Sequence, residues 1–365
     1  MPRIPAPTLD DLARPTLLQR QAHQVTLTPA SHDFQLRVGR PFGTPRRGVT
    51  PCAVVLTRSA DREIDELSLH LAARGIPLVR FDSDRCPGDQ VSWDLADDVL
   101  RTDEGVYRPA VCWVRYFTPS SMPLPTDAQV AAYARDQWQP WSAALLAAGG
   151  AHAVNAGAGP GQPDRVGQLA AARALGLRTP ATVVTTVPGQ AVGRIPGHGD
   201  LVVKSLGEHF VEPIPGRLTG LAPRRLTRAA LLANTATEPA PVLVQEFLPS
   251  RRELRIYAVG GRLLTFAVTR PTPEALWTQP ERVAARRIPT PEALRQPLRA
   301  LVARWQLDVA AFDVLDTDRG HIFLEVNSAC DWLWCESLAG TAAVSTAVRK
   351  RMAELFEHTT TRSAR

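Results

Sequence analysis

Apolar positions from residue 52 onward fall into runs that switch between the strand and helix periods. "AVVLT" (53–57) is a short continuous apolar run, as in a buried strand. The amphipathic stretch "DREIDELSLHLAARG" (61–75) follows and stops at Gly75, and "IPLVRFD" (76–82) is a second strand. This β-α-β order predicts a small parallel α/β domain running to about residue 150. "AVCWVRYF" (110–117) adds a strand to it, and "DAQVAAYARDQWQPWSAALLAAGG" (127–150) a long helix. No G-x-G-x-x-G loop follows the first strand, which argues against a dinucleotide site of the Rossmann type.

Beyond residue 150 the pattern changes. A loop, a helix and a strand cover "NAGAGPGQPDRVGQLAAARALGLRTPATVVTT" (155–186). Then come a strand in "LVVKSLG" (201–207), a Gly/Pro-rich loop over 207–220, a helix, and a strand in "PVLVQEFL" (241–248). Residues 253–269, "ELRIYAVGGRLLTFAVT", alternate and turn at Gly260-Gly261, which predicts a hairpin. A helix through 293–306 precedes a second hairpin over "VAAFDVLDTDRGHIFLEVN" (309–327), and the stretch 340–358 reads as helix. Residues 1–48 are rich in Pro, Arg and Thr with little periodicity, so they are expected to form a weakly ordered arm with a short helix near 9–24.

Composition refines this picture. With 365 residues and 44% hydrophobic content the chain is long enough for two or three domains. It contains no apolar run of membrane-spanning length and its N-terminus lacks the apolar core of a signal peptide, so a soluble cytoplasmic protein is expected. The five cysteines are scattered and odd in number, which predicts reduced thiols rather than a disulfide or zinc framework. The formal charge of +6 comes from arginines spread along the chain, without a dense basic block, which argues against a nucleic-acid partner. Only Lys204 and Lys350 are lysines; forty of the 42 basic residues are arginine. Lys350 sits on a terminal helix, where a solvated role is expected. Lys204 ends a buried strand, where a bare ammonium is costly without a partner.

Candidate chemistry centres on the second hairpin. A three-residue turn Asp318-Arg319-Gly320 places Asp313 opposite Glu325, with Asn327 two residues on and on the same face. Phe312, Val314, Leu324 and Val326 then form the core face. Facing carboxylates repel, so a cation between them is expected, and Mg²⁺ suits carboxylate and amide oxygens. The alternative is that one carboxylate points to solvent at a frayed end. A lysine ending a buried strand suits nucleotide phosphates. "VLVQEFL" suits a hinge that meets an adenine edge through its backbone, or is simply a strand with a polar end.

The order of lysine strand, hinge strand and carboxylate-carboxylate-Asn hairpin resembles the ATP-grasp superfamily, and within it the ribosomal peptide maturases called graspetide or microviridin-type synthetases. The resemblance spans roughly residues 52–357. It is carried by "VVLTRSADREIDELSLHLAARGIPLVRFD", "RVGQLAAARALGLRTPATVVTT", "QEFLPSRRELRIYAVGGRLLTFAV" and "FLEVNSACDWLW". It implies an α/β (α+β) ATP-grasp fold: after the 1–48 arm, an N-terminal pre-ATP-grasp α/β domain (49–150), a central subdomain (151–240), a C-terminal antiparallel-sheet subdomain (241–357) and a tail (358–365).

By the same resemblance Asp313, Glu325 and Asn327 match Mg²⁺ ligands and Lys204 a phosphate-binding lysine. Gln245, Glu246, Phe247 and Leu248 match the adenine hinge. Arg255 matches the arginine of an Asp-x-Arg element that holds the acidic side chain of a peptide; here the element reads Glu253-Leu254-Arg255, and Glu253 is expected to orient Arg255. Arg165 stands where the family commonly has an ATP-contacting lysine, and the family's Asn-Gly-Gln before the tryptophan becomes Ala-Cys-Asp. Arg115 resembles an arginine of the family's N-terminal domain, but a salt bridge at the strand end is the expected role.

The implied function is an ATP-dependent ligase with ATP and Mg²⁺ as cofactors and a ribosomal precursor peptide, leader plus acidic core, as partner. It would activate Asp or Glu side chains as acyl phosphates and close lactones with Thr or Ser, or lactams with Lys. A homodimer is expected. Two alternatives stand beside it: an intermolecular amino-acid or peptide ligase, and a degenerate ATP-grasp fold that binds peptide without turnover.

Overall fold

The computed structural model describes residues 48–86, 91–119, 122–124, 126–147, 150–158, 164–207, 223–272, 275 and 279–363, together with the backbone of 23–26, 210–214 and 217–220. In chain order the first elements are β1 (His23–Thr26), β2 (Thr50–Thr57), α1 (Arg62–Ala73), β3 (Leu78–Asp82), β4 (Val91–Asp94), β5 (Val99–Thr102), β6 (Gly105–Val114), α2 (Ala128–Leu146) and β7 (His152–Ala153). Strands β2 to β7 form a six-stranded sheet in the order β3-β2-β6-β5-β4, with β7 beside β6. As expected, β2 is parallel to β3 and β6, and α1 is the crossover. Asp61 caps α1 by accepting from the Ile64 N–H, and Gly75 leaves the helix at φ +72°, a conformation glycine adopts without strain. The antiparallel meander through β4 and β5 was not expected; these strands are four residues each, and β5 buries Val99 and Leu100.

The middle of the chain comprises α3 (Arg165–Ala174), β8 (Thr182–Thr185), β9 (Leu201–Ser205), β10 (Phe210–Ile214), β11 (Arg217–Gly220), β12 (Arg224–Leu226), α4 (Arg228–Leu232) and β13 (Val242–Glu246). A four-stranded antiparallel sheet runs β12-β9-β13-β8. Because β13 belongs to it, this sheet continues past the boundary expected at 240. The stretch expected as a Gly/Pro loop instead contains the β10-β11 hairpin. Residues 23–26 of the arm pair antiparallel with β11, so that segment is a strand. The helix expected near 9–24 lies almost wholly outside the described residues.

The remaining elements are β14 (Arg252–Val259), β15 (Arg262–Thr269), β16 (Ala284–Ile288), α5 (Glu292–Arg304), β17 (Val309–Thr317), β18 (Gly320–Asn327), α6 (Leu333–Ala339) and α7 (Ala343–Ser363). The five strands form one antiparallel sheet, β16-β15-β14-β17-β18. Gly260 and Gly261, at φ +54° and +80°, make the two-residue turn of the first hairpin. One face of the sheet, through Leu254, Ile256, Phe312, Val314, Phe323 and Val326, packs on α3 and α5. On the other face Tyr257, Phe266, Val309 and Ala311 join α6, α7 and the apolar side of α1 in a single core with Val55 and Trp113 of the N-terminal sheet. That shared core holds the first and last parts of the chain together.

Asp308 reinforces the junction. Its carboxylate accepts from Arg351 on α7 (2.5 Å) and sits 2.7 Å from the Nε2 of His152 on β7. Burial alone would raise this carboxyl, but His152 and Arg351 override it and hold it below the ordinary range. A depressed carboxylate contributes stability above its unfolded pKa and loses it as pH falls through the folded value. Asp308→Asn is therefore expected to cost about 1 to 3 kcal/mol near neutrality. In thermal melts across pH, the gap from wild type should close as pH drops below about 4.

All five cysteines are buried thiols outside any disulfide, and burial pushes Cys52, Cys112, Cys330 and Cys335 upward, to about 12 for Cys112 and Cys335. They are packing groups, as expected. Trp113 is fully buried, and Trp138 and Trp141 stack with Phe117 and Phe81, so these aromatics also serve as packing. Among the described residues no helix is long and apolar enough to cross a membrane.

Candidate active site

A row of three polar side chains crosses the five-stranded sheet: Arg255 on β14 pairs with Asp313 on β17, which pairs with Glu325 on β18. They share one face because strand positions alternate, and Glu253 and Asn327 share it one step away along their strands. The juxtaposition of Asp313 and Glu325 was expected, but its cause differs. The turn is the two-residue loop Asp318-Arg319, with Thr317 paired to Gly320, and a bulge between Asp313 and Val314 restores the register at Glu325. One consequence is that Phe323, not Leu324, joins the core face.

Edge strand β18 is covered by α3 rather than left open. The Gln168 side chain accepts from the Val326 N–H (2.8 Å) and donates to the Val326 carbonyl (3.2 Å), between the two β18 site residues. Arg178 takes the Phe323 N–H at the bulge. Asp164 caps α3, so its first residue, Arg165, is aimed at the site. Arg165 Nε donates to Glu325 (3.2 Å), and its Nη1 donates to the Ser205 carbonyl (2.8 Å). Lys204, on β9 of the four-stranded sheet, brings its Nζ within 3.8 Å of the same Glu325 oxygen. The site is thus a cleft between two sheets, spanned by charged groups.

Those charges alter one expectation. Arg165 and Lys204 attend Glu325, and Arg255 Nη1 meets both oxygens of Asp313 at 3.0 and 2.9 Å. Asn327 donates to Asp313 as well (2.9 Å). Carboxylate repulsion is already offset by side-chain cations, so it does not by itself demand a metal. Compensation is incomplete at Asp313: burial pushes its carboxyl up to about 6, Arg255 opposes this, and Glu325 and Glu253 add to it. Burial likewise lowers the Lys204 ammonium, while Glu325 supports its charge and Arg165 opposes it. Among the described residues no three His, Cys, Asp or Glu side chains cluster as a metal site. Two carboxylates and an amide are nonetheless hard oxygen donors of the kind Mg²⁺ takes when substrate phosphates complete its shell.

Glu253 does not orient Arg255. Both its oxygens accept from Arg270 Nη2 at 2.5 Å, so that carboxylate is held by a second arginine. The second group that meets Arg255, beside Asp313, is Asp331, at 2.5 Å from Nη2, a residue that sequence reasoning passed over. Arg255 Nε–H, by contrast, is buried without a hydrogen-bond partner among the described residues. Cys330 adopts φ +54°, a conformation uncommon for residues with a Cβ.

Along the expected hinge, the Gln245 amide donates to Thr182, and Glu246 exchanges hydrogen bonds with Ala181 through both its backbone N–H and its carboxylate. The Phe247 N–H is taken by the Asp200 carbonyl, and Arg225 lies over the Phe247 ring at 4.0 Å. These contacts fix the strand end.

Arg115 is fully buried and paired with Asp61 (2.6 Å) and Glu63, which extends the strand-end salt bridge that was one expectation for it. It also donates to the Ala329 carbonyl (2.7 Å) in the loop after β18. Trp332 is buried under Arg115 with its Nε1 on Ser345, so it packs.

No protein-family profile and no curated protein matches the sequence. Solved structures do. A RiPP-associated ATP-grasp ligase of Chryseobacterium gregarium, in complex with ADP and a leader and core peptide, is similar at TM-score 0.67 and 20% identity, over 84% of this chain and 97% of that one. The macrocyclase MdnC of Microcystis aeruginosa, bound with precursor peptide MdnA, is similar at TM-score 0.67 and 20% identity over 83% and 99%. The ATP-grasp ligase PsnB, complexed with a phosphomimetic variant of its minimal precursor, Mg and ADP, is similar at TM-score 0.62 and 18% identity over 84% and 99%. Two facing antiparallel sheets with a charged cleft between them, and these likenesses over most of the chain, show that the protein has the ATP-grasp fold.

Proposed function

We propose that the protein is an ATP-dependent peptide ligase that crosslinks side chains within a ribosomal precursor peptide. The observation that carries the proposal is the row Arg255-Asp313-Glu325 facing Lys204 and Arg165 across the cleft. The likeness to enzymes solved with ADP, Mg and precursor peptides supports it.

In this reading the adenine lies against the β13 end. With the Glu246 and Phe247 N–H groups engaged, the next backbone donor for the adenine edge is Leu248 N–H. Lys204 and Arg165 bind the phosphates, exchanging Glu325 for phosphoryl oxygens as the nucleotide enters. Asp313, Glu325 and Asn327 would hold Mg²⁺, which when bound neutralises charge on the terminal phosphates. Arg255 orients an Asp or Glu side chain of the peptide, its unpaired Nε–H being a ready donor. The carboxylate attacks the γ-phosphorus and ADP leaves, forming an acyl phosphate. A Thr or Ser hydroxyl, or a Lys amine, of the same peptide then attacks the carbonyl. Phosphate departs with the electron pair and the nucleophile's proton passes to solvent, so the peptide loses one water per crosslink. Tethering both groups on one chain supplies the proximity advantage.

Purified protein with Mg-ATP and the acidic peptide encoded in the adjacent reading frame is expected to release ADP and yield product lighter by one water mass per ring. Mass spectrometry decides between the readings. An added amino acid would indicate an intermolecular ligase, and nucleotide binding without any product would indicate a peptide-binding protein.

A further inference from the structure

Asp331 lies in the loop that joins β18 to α6, outside every strand and helix. Its carboxylate is 44% exposed, whereas its partner Arg255 is 9% exposed. An exposed ion pair of two mobile side chains contributes little. Here the entropy cost is largely removed beforehand, because the backbone on both sides of Asp331 is pinned. Arg115 holds the Ala329 carbonyl (2.7 Å) and reaches that of Cys330 (3.4 Å). Glu63 accepts from the N–H groups of Trp332 (2.6 Å) and Leu333 (3.0 Å), and the buried Tyr257 hydroxyl donates to the carbonyl of Asp331 itself (3.0 Å). The carboxylate is therefore presented to Arg255 from a fixed point on the side away from Asp313.

The geometry points to Asp331 as a positioning residue for Arg255: Asp313 and Asp331 grip the two ends of the guanidinium fork, which fixes its plane and leaves the Nε–H edge for an incoming carboxylate or acyl phosphate oxygen. This deepens the function proposed above and rests on it for the peptide contact. A planar five-donor fork held at two corners has one orientation, whereas one held only by Asp313 can pivot about that contact. The effect is thus on the transfer step and not on nucleotide binding, which belongs to Lys204, Arg165 and the β13 end.

The test uses full-length wild type, Asp331→Asn, Asp331→Ala and Asp331→Glu with Mg-ATP and the precursor from the adjacent reading frame. Asp331→Asn and Asp331→Ala are expected to lower kcat for ADP release about tenfold. Their Kd for Mg-ADP by calorimetry should stay within about twofold, and Asp331→Glu, which keeps the charge, should recover about a third of the wild-type rate. A crystal structure of Asp331→Ala should show the Arg255 guanidinium rotated off its wild-type plane. Wild-type turnover in Asp331→Ala, Mg-ADP affinity falling in step with kcat, or an unmoved guanidinium would overturn the assignment. If wild type itself releases no ADP with peptide, the functional reading fails, and the Asp331→Ala crystal structure still decides whether this residue sets the arginine.

Discussion

Glu325→Gln is expected to lower ATP turnover by about a hundredfold to a thousandfold while the protein stays folded. Glutamine keeps the size of the side chain and one carbonyl acceptor, but it removes the charge that Arg165 approaches at 3.2 Å and Lys204 at 3.8 Å. Burial already lowers the Lys204 ammonium, and Glu325 is the largest influence supporting its charge. Without that carboxylate, two cations face each other across the cleft and the lysine gives up its proton more readily, so the charge proposed to bind phosphate weakens. The oxygen set proposed for Mg²⁺ loses a carboxylate at the same time. Stability should change little, because the repulsion that Glu325 exerts on Asp313 is relieved as its own ion pairs are lost. Steady-state ADP release, Mg-ADP calorimetry and a thermal melt measure the three parts; turnover within threefold of wild type would remove the row of charges from the mechanism.

Arg255→Lys should slow transfer about a hundredfold while weakening Mg-ADP binding far less. The substitution conserves charge, so what it tests is the fork. Arg255 Nη1 spans both oxygens of Asp313 while Nη2 reaches Asp331, and a single ammonium cannot fill both places. Arg255→Ala is the harsher change. It leaves two carboxylates facing a gap in a largely buried site and is expected to cost about 3 to 5 kcal/mol in urea unfolding. A lysine variant with undiminished kcat would show that charge alone suffices at this position.

The parts of this site that the sequence foretells are those governed by short periods. Asp313, Glu325 and Asn327 share a face because strand residues alternate, and Lys204 stands out as a lone lysine at the end of an apolar strand. Arg165 follows from the start of a helix. The bulge at Asp313 was not legible, since a two-residue turn plus one extra residue and a three-residue turn give the same partner for Asp313. Only the identity of the core phenylalanine, Phe323 against Leu324, separates them. Asp331 was invisible for a different reason. It lies in irregular backbone whose path is set by Arg115 and Glu63, more than two hundred residues earlier, and no local pattern carries such a contact. Glu253 was given to the wrong arginine for the same reason, its partner Arg270 lying beyond the end of the neighbouring strand. The pairing of residues 23–26 with β11 was likewise unreadable, because four backbone pairings leave no mark in a Pro- and Arg-rich arm.

The buried Arg115 clamp bears on how this fold can be altered by recombination. Asp61 both caps the first helix and pairs with Arg115, while Glu63 binds Arg115 with one oxygen and two amides of the loop beyond β18 with the other. A chimera that exchanges the first hundred and fifty residues for those of a relative therefore imports new holders for the loop that carries Asp331. The two ends of the chain form one inherited unit, and substitutions at 61, 63 and 115 should be tolerated only alongside matching changes at 329–333.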